Sequence, residues 1–329
     1  MANKIFYYLT IASIAVSTAS CNKEESASTV YEKAYPVILK AQSIGLEADK
    51  APESYLKGES IGVSLLEQGT DNAVAPNSNI RYLSDGIGYY FVAANNDSTI
   101  YLPENGDKRD IATYYPKVAD ITDKVSIDLT TNQEFGAKLQ FGRINGLDKD
   151  NREAVLKMKN ALSLVTLDID ASAFGAQGIT AILQETPLKG NMSIYSGGFE
   201  ATEFGSLAMT EGKALSRANN DIKQFYAMAF PATVNTNTSG ESTTESGVQA
   251  TESKIEITIT KADGSETKKI ELKLAEYTES LESAMNTNFN VTVDASGTAN
   301  VKVTNTSFSI NDWRNSEGID VDGNESVTE

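Results

Sequence analysis

Apolar side chains recur at every second position through many short segments of this chain, and turn-forming residues separate those segments. Val125, Ile127 and Leu129 alternate with Ser126 and Asp128, and Ile255, Ile257 and Ile259 alternate with Glu256 and Thr258. A period of two places one row of side chains on a core and the other in water, as in antiparallel sheets. Strands are predicted at 36–42, 60–66, 89–93, 99–102, 111–115, 125–129, 138–141, 162–170, 178–183, 225–230, 254–261, 267–274, 288–294 and 300–310. Between two of them stands Ala262-Asp263-Gly264-Ser265, a hairpin signal with room for a bulge or a longer loop. Many short strands with turn residues between them predict an all-β fold of β-sandwiches. Residues 151–161 place Val155, Met158 and Leu162 near helical spacing and read as a short helix or as a loop into the next strand. A second short helix is predicted at 278–284.

The chain is long enough for two domains of ordinary size. Pro187 and Gly190 interrupt the β pattern, so the boundary is predicted near 185–190, giving domains at 35–186 and 187–329. Residues 235–253 are rich in Thr, Ser, Asn, Gly and Glu. They are predicted to form a mobile loop, because they carry too little apolar surface to offset the entropy of ordering.

Composition narrows the chemistry. Histidine is absent, which removes the commonest general base, the commonest metal ligand and any Ser-His-Asp triad. The formal net charge of −17 is spread along the chain, so nucleic acid is excluded as a partner. No enzyme activity, cofactor or metal site is expected.

The N-terminus has its own logic. Lys4 precedes an apolar run from residue 5 to 16, and Thr18, Ala19 and Ser20 are small residues of the kind found at a cleavage site. The run is too short to span a bilayer, which needs about 20 residues. Cys21 is the only cysteine and follows directly. The arrangement resembles a bacterial lipoprotein lipobox, although Thr18 stands where Leu is usual. The resemblance implies a signal peptide at 1–20, acylation (palmitate) at Cys21, and anchoring to a membrane rather than spanning it. Lys23, Glu24 and Glu25 resemble the export tag of surface lipoproteins in Bacteroidetes-type bacteria. Residues 21–34 then read as a polar tether.

Four further stretches carry a second resemblance. They are Ala112-Thr113-Tyr114-Tyr115-Pro116, residues 158–165 around Asn160, residues 225–231 ending in Pro231, and Phe289-Asn290-Val291-Thr292-Val293 followed by Ile310-Asn311-Asp312-Trp313. In this order they resemble the fimbrillin-like family of Bacteroidetes. The resemblance implies two tandem transthyretin-like β-sandwich domains. It also implies a fimbrial subunit, structural or adhesive, placed at the outer membrane and cell surface and joined to other subunits by strand exchange. The removable strand would be 36–42, and the donor the stretch from Trp313 onward, with Ile319-Asp320-Val321. The family's processing prefers an Arg, but the first one here after Cys21 is Arg81, so Lys40 and Lys50 are the candidate processing positions. The alternative reading is a free-standing surface lipoprotein that binds a glycan or a protein.

Other constellations point to structure. Asp168 and Asp170 share a strand face and read as solvated. The segment 320–325 lacks the spacing of a calcium loop and reads as an acidic tail. Tyr89 and Phe91, two apart, read as core, and Trp313 reads as closing the C-terminal core.

Overall fold

A computed structural model describes residues 35–44, 52–212, 222–235 and 247–308. The fold is nearly all-β. In the first half the strands are β1 (Tyr35–Pro36), β2 (Ile38–Ser43), β3 (Ser60–Glu67), β4 (Ile80–Ser84), β5 (Tyr90–Ala93), β6 (Tyr101–Leu102), β7 (Arg109–Tyr115), β8 (Lys124–Asp128), β9 (Gln140–Leu147) and β10 (Glu153–Asn160). They are followed by β11 (Ser163–Asp170), β12 (Ala176–Ser193), β13 (Phe199–Ala208), β14 (Thr210–Glu211), β15 (Lys223–Ala229), β16 (Ala232–Thr233), β17 (Lys254–Lys261), β18 (Thr267–Lys273), β19 (Ser280–Leu281), β20 (Met285–Val293) and β21 (Ala299–Ser307). One short helix, α1 (Gln133–Lys138), is capped by the Asn132 side chain, which accepts from the Phe135 N–H at 2.9 Å.

Seven strands close a barrel in the order β10-β2-β5-β4-β3-β7-β9, and its core takes Val37, Leu39, Ile61, Phe91, Ile111, Leu156 and Met158. The first lobe therefore closes by hydrogen bonding into a barrel, where a two-sheet sandwich is expected from the sequence. The second lobe has two layers. One sheet runs β14-β15-β11-β20-β21, and the other runs β13-β12-β17-β18 with β8 added to β12. Leu167, Ile169, Phe225, Ile257, Phe289 and Val291 belong to the second core.

Three expectations change. Residues 151–161 form neither helix nor loop: β10 buries Ala154, Leu156 and Met158 and exposes Glu153, Val155, Lys157 and Lys159, a strict period of two. The helix expected at 278–284 is replaced by a single 3₁₀ turn at Leu274–Glu276 and the short strand β19. Of the loop expected at 235–253, residues 236–246 lie outside the described residues. Val248 and Ala250, in contrast, are buried, and Thr233 pairs with Gln249.

The breaker residues at 185–190 mark a change of partner within one strand. Up to Gln184, β12 pairs with β17, and from Lys189 it pairs with β8. Register shifts lie between, and Glu185 has φ +51°. The two cores divide earlier than this stretch, between Met158 and Ala161, and Val125, Ile127 and Leu129 already belong to the second. The Asp-Gly hairpin forms between β17 and β18, with Gly264 at φ +70° where a side chain would be strained.

The lobes meet at a charged joint. Asp110, fully buried, accepts from Arg143 Nη2 at 2.9 Å and from the N–H groups of Gly69 and Gly146. Burial opposes its charge, but these donors outweigh that and hold its carboxyl below the usual range. Arg143 also donates to Asp71 and to the Tyr195 carbonyl in the second lobe.

Candidate functional site

Strand β2 lies between β10 and β5 in the closed barrel. On one side it pairs in parallel with β10 over six residues, from Ile38↔Glu153 to Ser43↔Met158. On the other it meets β5 at only two register pairs, Leu39↔Phe91 and Lys40↔Tyr90. The Ala41 N–H donates to the Tyr89 carbonyl at 3.0 Å beyond them, and the Val37 N–H donates to the Ile100 carbonyl at 3.0 Å. The alternation read from the sequence holds: Val37, Leu39, Ala41 and Ser43 point inward and Ile38 outward. At the far end Gln140, buried, donates to the Ser43 hydroxyl at 2.8 Å and accepts from the Tyr55 hydroxyl.

The outer face of this seam is apolar. Ile38 is 43% exposed, Tyr90 42%, Val92 57% and Val155 37%. They lie on β2, β5 and β10, three neighbouring strands. Contiguous exposed apolar residues on a soluble surface mark contact sites more often than scattered ones do. Lys40 lies at the centre, paired with Glu153 and 4.7 Å above the Tyr90 ring. The hydrogen bond that it donates to Glu153 raises its ammonium above the ordinary value. Lys157 and Lys159 extend the face along β10.

The other positions singled out in the sequence scatter. Cys21, Lys23, Glu24, Glu25, Lys50, Trp313, Ile319 and Val321 lie outside the described residues. Asp168 and Asp170 do share a strand, but Asp168 accepts from Gln224 and Asn288, and Asp170 accepts from Ser172, so each is committed to a structural bond. Phe91 is core as expected. Tyr89 is not its strand neighbour: it has φ +71° at the turn before β5, and its hydroxyl donates to the Pro52 carbonyl at 3.0 Å. Sequence reasoning missed the apolar outer face, because the partners that assemble it are distant in the chain. Among the described residues no cluster of three or more His, Cys, Asp or Glu is arranged to hold a metal, and no helix is long and apolar enough to cross a membrane.

A family profile described as fimbrillin-like matches residues 51–313. No curated protein matches the chain. Among solved structures, a proposed cell adhesion protein of Bacteroides uniformis aligns with a TM-score of 0.56 at 17% identity, covering 83% of this chain and 98% of its own. A proposed cell adhesion protein of Bacteroides ovatus aligns at 0.53 and 15% identity, covering 84% and 98%. A fimbrial protein of Bacteroides vulgatus aligns at 0.51 and 11% identity, covering 82% and 99%. At these identities the likeness is one of fold.

Proposed function

This chain belongs to the fimbrillin-like family, and on that premise we propose that it is a structural or adhesive subunit of a bacterial surface fimbria, exported as a lipoprotein through Cys21 and joined to neighbours by strand exchange at β2. The two lobes serve in this reading as the tandem transthyretin-like modules. The observation that carries it is the seam itself. One strand from the start of the fold supplies Val37, Leu39 and Ala41 to the barrel core, and the surface around it is apolar. Withdrawal of β1 and β2 would leave bare backbone groups on β10 and β5 and an apolar groove between them. A strand from another subunit can satisfy both, since main-chain pairing gives affinity and alternate side chains fill the groove. The stretch from Trp313 onward, with Ile319 and Val321 two apart, has the alternation needed for a donor.

Of the two candidate processing positions, Lys50 fits better. Lys40 sits in mid-strand with its side chain paired to Glu153, and cleavage there would leave Ala41 to Ser43 in the groove. Cleavage after Lys50, which follows the last residue of β2 in the chain, would release the whole strand. Edman sequencing of purified filaments tests this. A terminus at Ala51 supports exchange, and an intact acylated Cys21 within filaments refutes it. Negative-stain microscopy of a deletion strain tests the broader reading: loss of filaments is expected, and unchanged filaments would favour a free-standing lipoprotein.

A further inference from the structure

A cavity of about 350 Å³ opens at one end of the second lobe, far along the chain from the β2 seam. Tyr277, Glu279, Glu282, Thr287 and Asn305 are among the residues that line it. Its volume lies at the lower end of the range for small-molecule sites, about 300–1,000 Å³.

Its walls are held in place before any ligand arrives. Leu274 and Leu281, both buried, pin the segment that carries Tyr277 to Ser280. The Glu279 carbonyl accepts from the N–H groups of Val234 at 2.9 Å and Asn235 at 3.1 Å, and the Thr278 hydroxyl donates to the Ser280 carbonyl at 3.0 Å. The Tyr277 ring packs edge-on against Phe289, with centroids 6.0 Å apart. Across the opening, Thr287 and Asn305 are directly opposed on β20 and β21.

The chemistry of the lining selects a ligand class. Glu279 and Glu282 are the only charged groups among the described lining residues, so an anionic ligand would face two carboxylates with no cation to offset them. An ammonium or guanidinium carries donors alone, so it could meet the carboxylates but would leave the exposed Asn305 amide N–H groups to water. A sugar hydroxyl both donates and accepts. It can give its proton to a carboxylate while accepting from the Asn305 amide. The aromatic ring of Tyr277 supplies an apolar surface for the C–H face of a pyranose. We propose that this cavity is a binding site for a neutral glycan, in which Glu279, Glu282 and Asn305 engage hydroxyls and Tyr277 carries the ring. The inference sharpens an adhesive reading of the protein but does not depend on strand exchange.

The test uses the purified full-length chain on an array of mannose-, galactose- and N-acetylglucosamine-terminated oligosaccharides, with sialylated and sulfated glycans and an arginine-rich peptide alongside. A neutral oligosaccharide that binds is then titrated calorimetrically against Glu279→Gln, Glu282→Gln and Asn305→Ala. These side chains are exposed, so the variants should fold as the native chain does. Loss of a hydrogen bond to a charged group predicts about tenfold weaker binding for Glu282→Gln, with unchanged melting of the free protein. Filaments carrying Glu282→Gln should assemble normally, which separates failure here from failure of strand exchange. Binding of anionic glycans or of the peptide alone, no binding of any neutral glycan, or equal affinity in all three variants would overturn the assignment.

Discussion

The two lobes solve the same problem in opposite ways. The barrel leaves no sheet edge, but its closure depends on β2, which joins β5 through two register pairs. The sandwich leaves edges at β13, β18, β14 and β21 and is filled by a larger set of buried residues that does not include β1 or β2. A closed sheet removes exposed backbone groups only while every strand is present. The lobe that looks sealed is therefore the one that a single strand can open. The open lobe guards an edge with charge instead, since β18 presents Lys268, Lys269 and Lys273 beside Glu271.

The largest expected effect breaks this contrast directly. Deleting residues 35–43 removes Val37, Leu39 and Ala41 from the barrel core and should split calorimetric unfolding into two transitions, with the barrel melting first. A single unchanged transition would show that β2 does not hold the barrel. Next comes the joint. Asp110→Asn removes one partner of a buried ion pair and should cost about 3 kcal/mol in urea unfolding. The pH dependence follows from its lowered carboxyl. The stabilisation is fully present above the unfolded value of about 3.9 and is lost as pH falls through the lower folded value. The gap between native and variant should thus hold steady from pH 7 to 5 and shrink below about pH 4; a gap that grows on acidification contradicts the assignment.

A smaller effect probes the sandwich. A Cβ at Gly190 would come within 2.3 Å of the Glu200 carbonyl oxygen and 2.8 Å of the Phe230 ring. Gly190→Ala should cost about 2 kcal/mol in urea unfolding, within the usual range for overpacking. The smallest effect sharpens the comparison at the seam. Val92→Ser with Val155→Ser alters exposed side chains only, and stability should move by no more than about 0.5 kcal/mol. If the apolar face serves contact between subunits, the same pair should lower self-association measured by sedimentation. Unchanged association would remove that role from the outer face.

How far the fold was legible depends on whether the signal was local. β8 and β17 were readable because Val125 and Ile127, and Ile255, Ile257 and Ile259, bury one face and leave the other toward water. β13 was missed, because on an edge strand both Glu200 and Phe204 can face solvent and no apolar period survives. β10 was misread because Val155 is apolar yet points outward, which disguised the row formed by Ala154, Leu156 and Met158. Helix α1 rests on one cap and a Glu134–Lys138 pair, a signal too short to stand out. Of the candidate site, the inward row of β2 was legible and its apolar surroundings were not.

By itself the sequence determined the all-β class, the inward face of the first strand and the Asp-Gly turn, since each follows from residues adjacent in the chain. Tertiary structure alone decided that Lys40 would meet Glu153, 113 residues away, that the first lobe would close into a barrel, and that β12 would change partners at its bulges. Alternation says which side of a strand is buried but is the same for every partner. Which strands pair is settled by how whole faces fit together across the core.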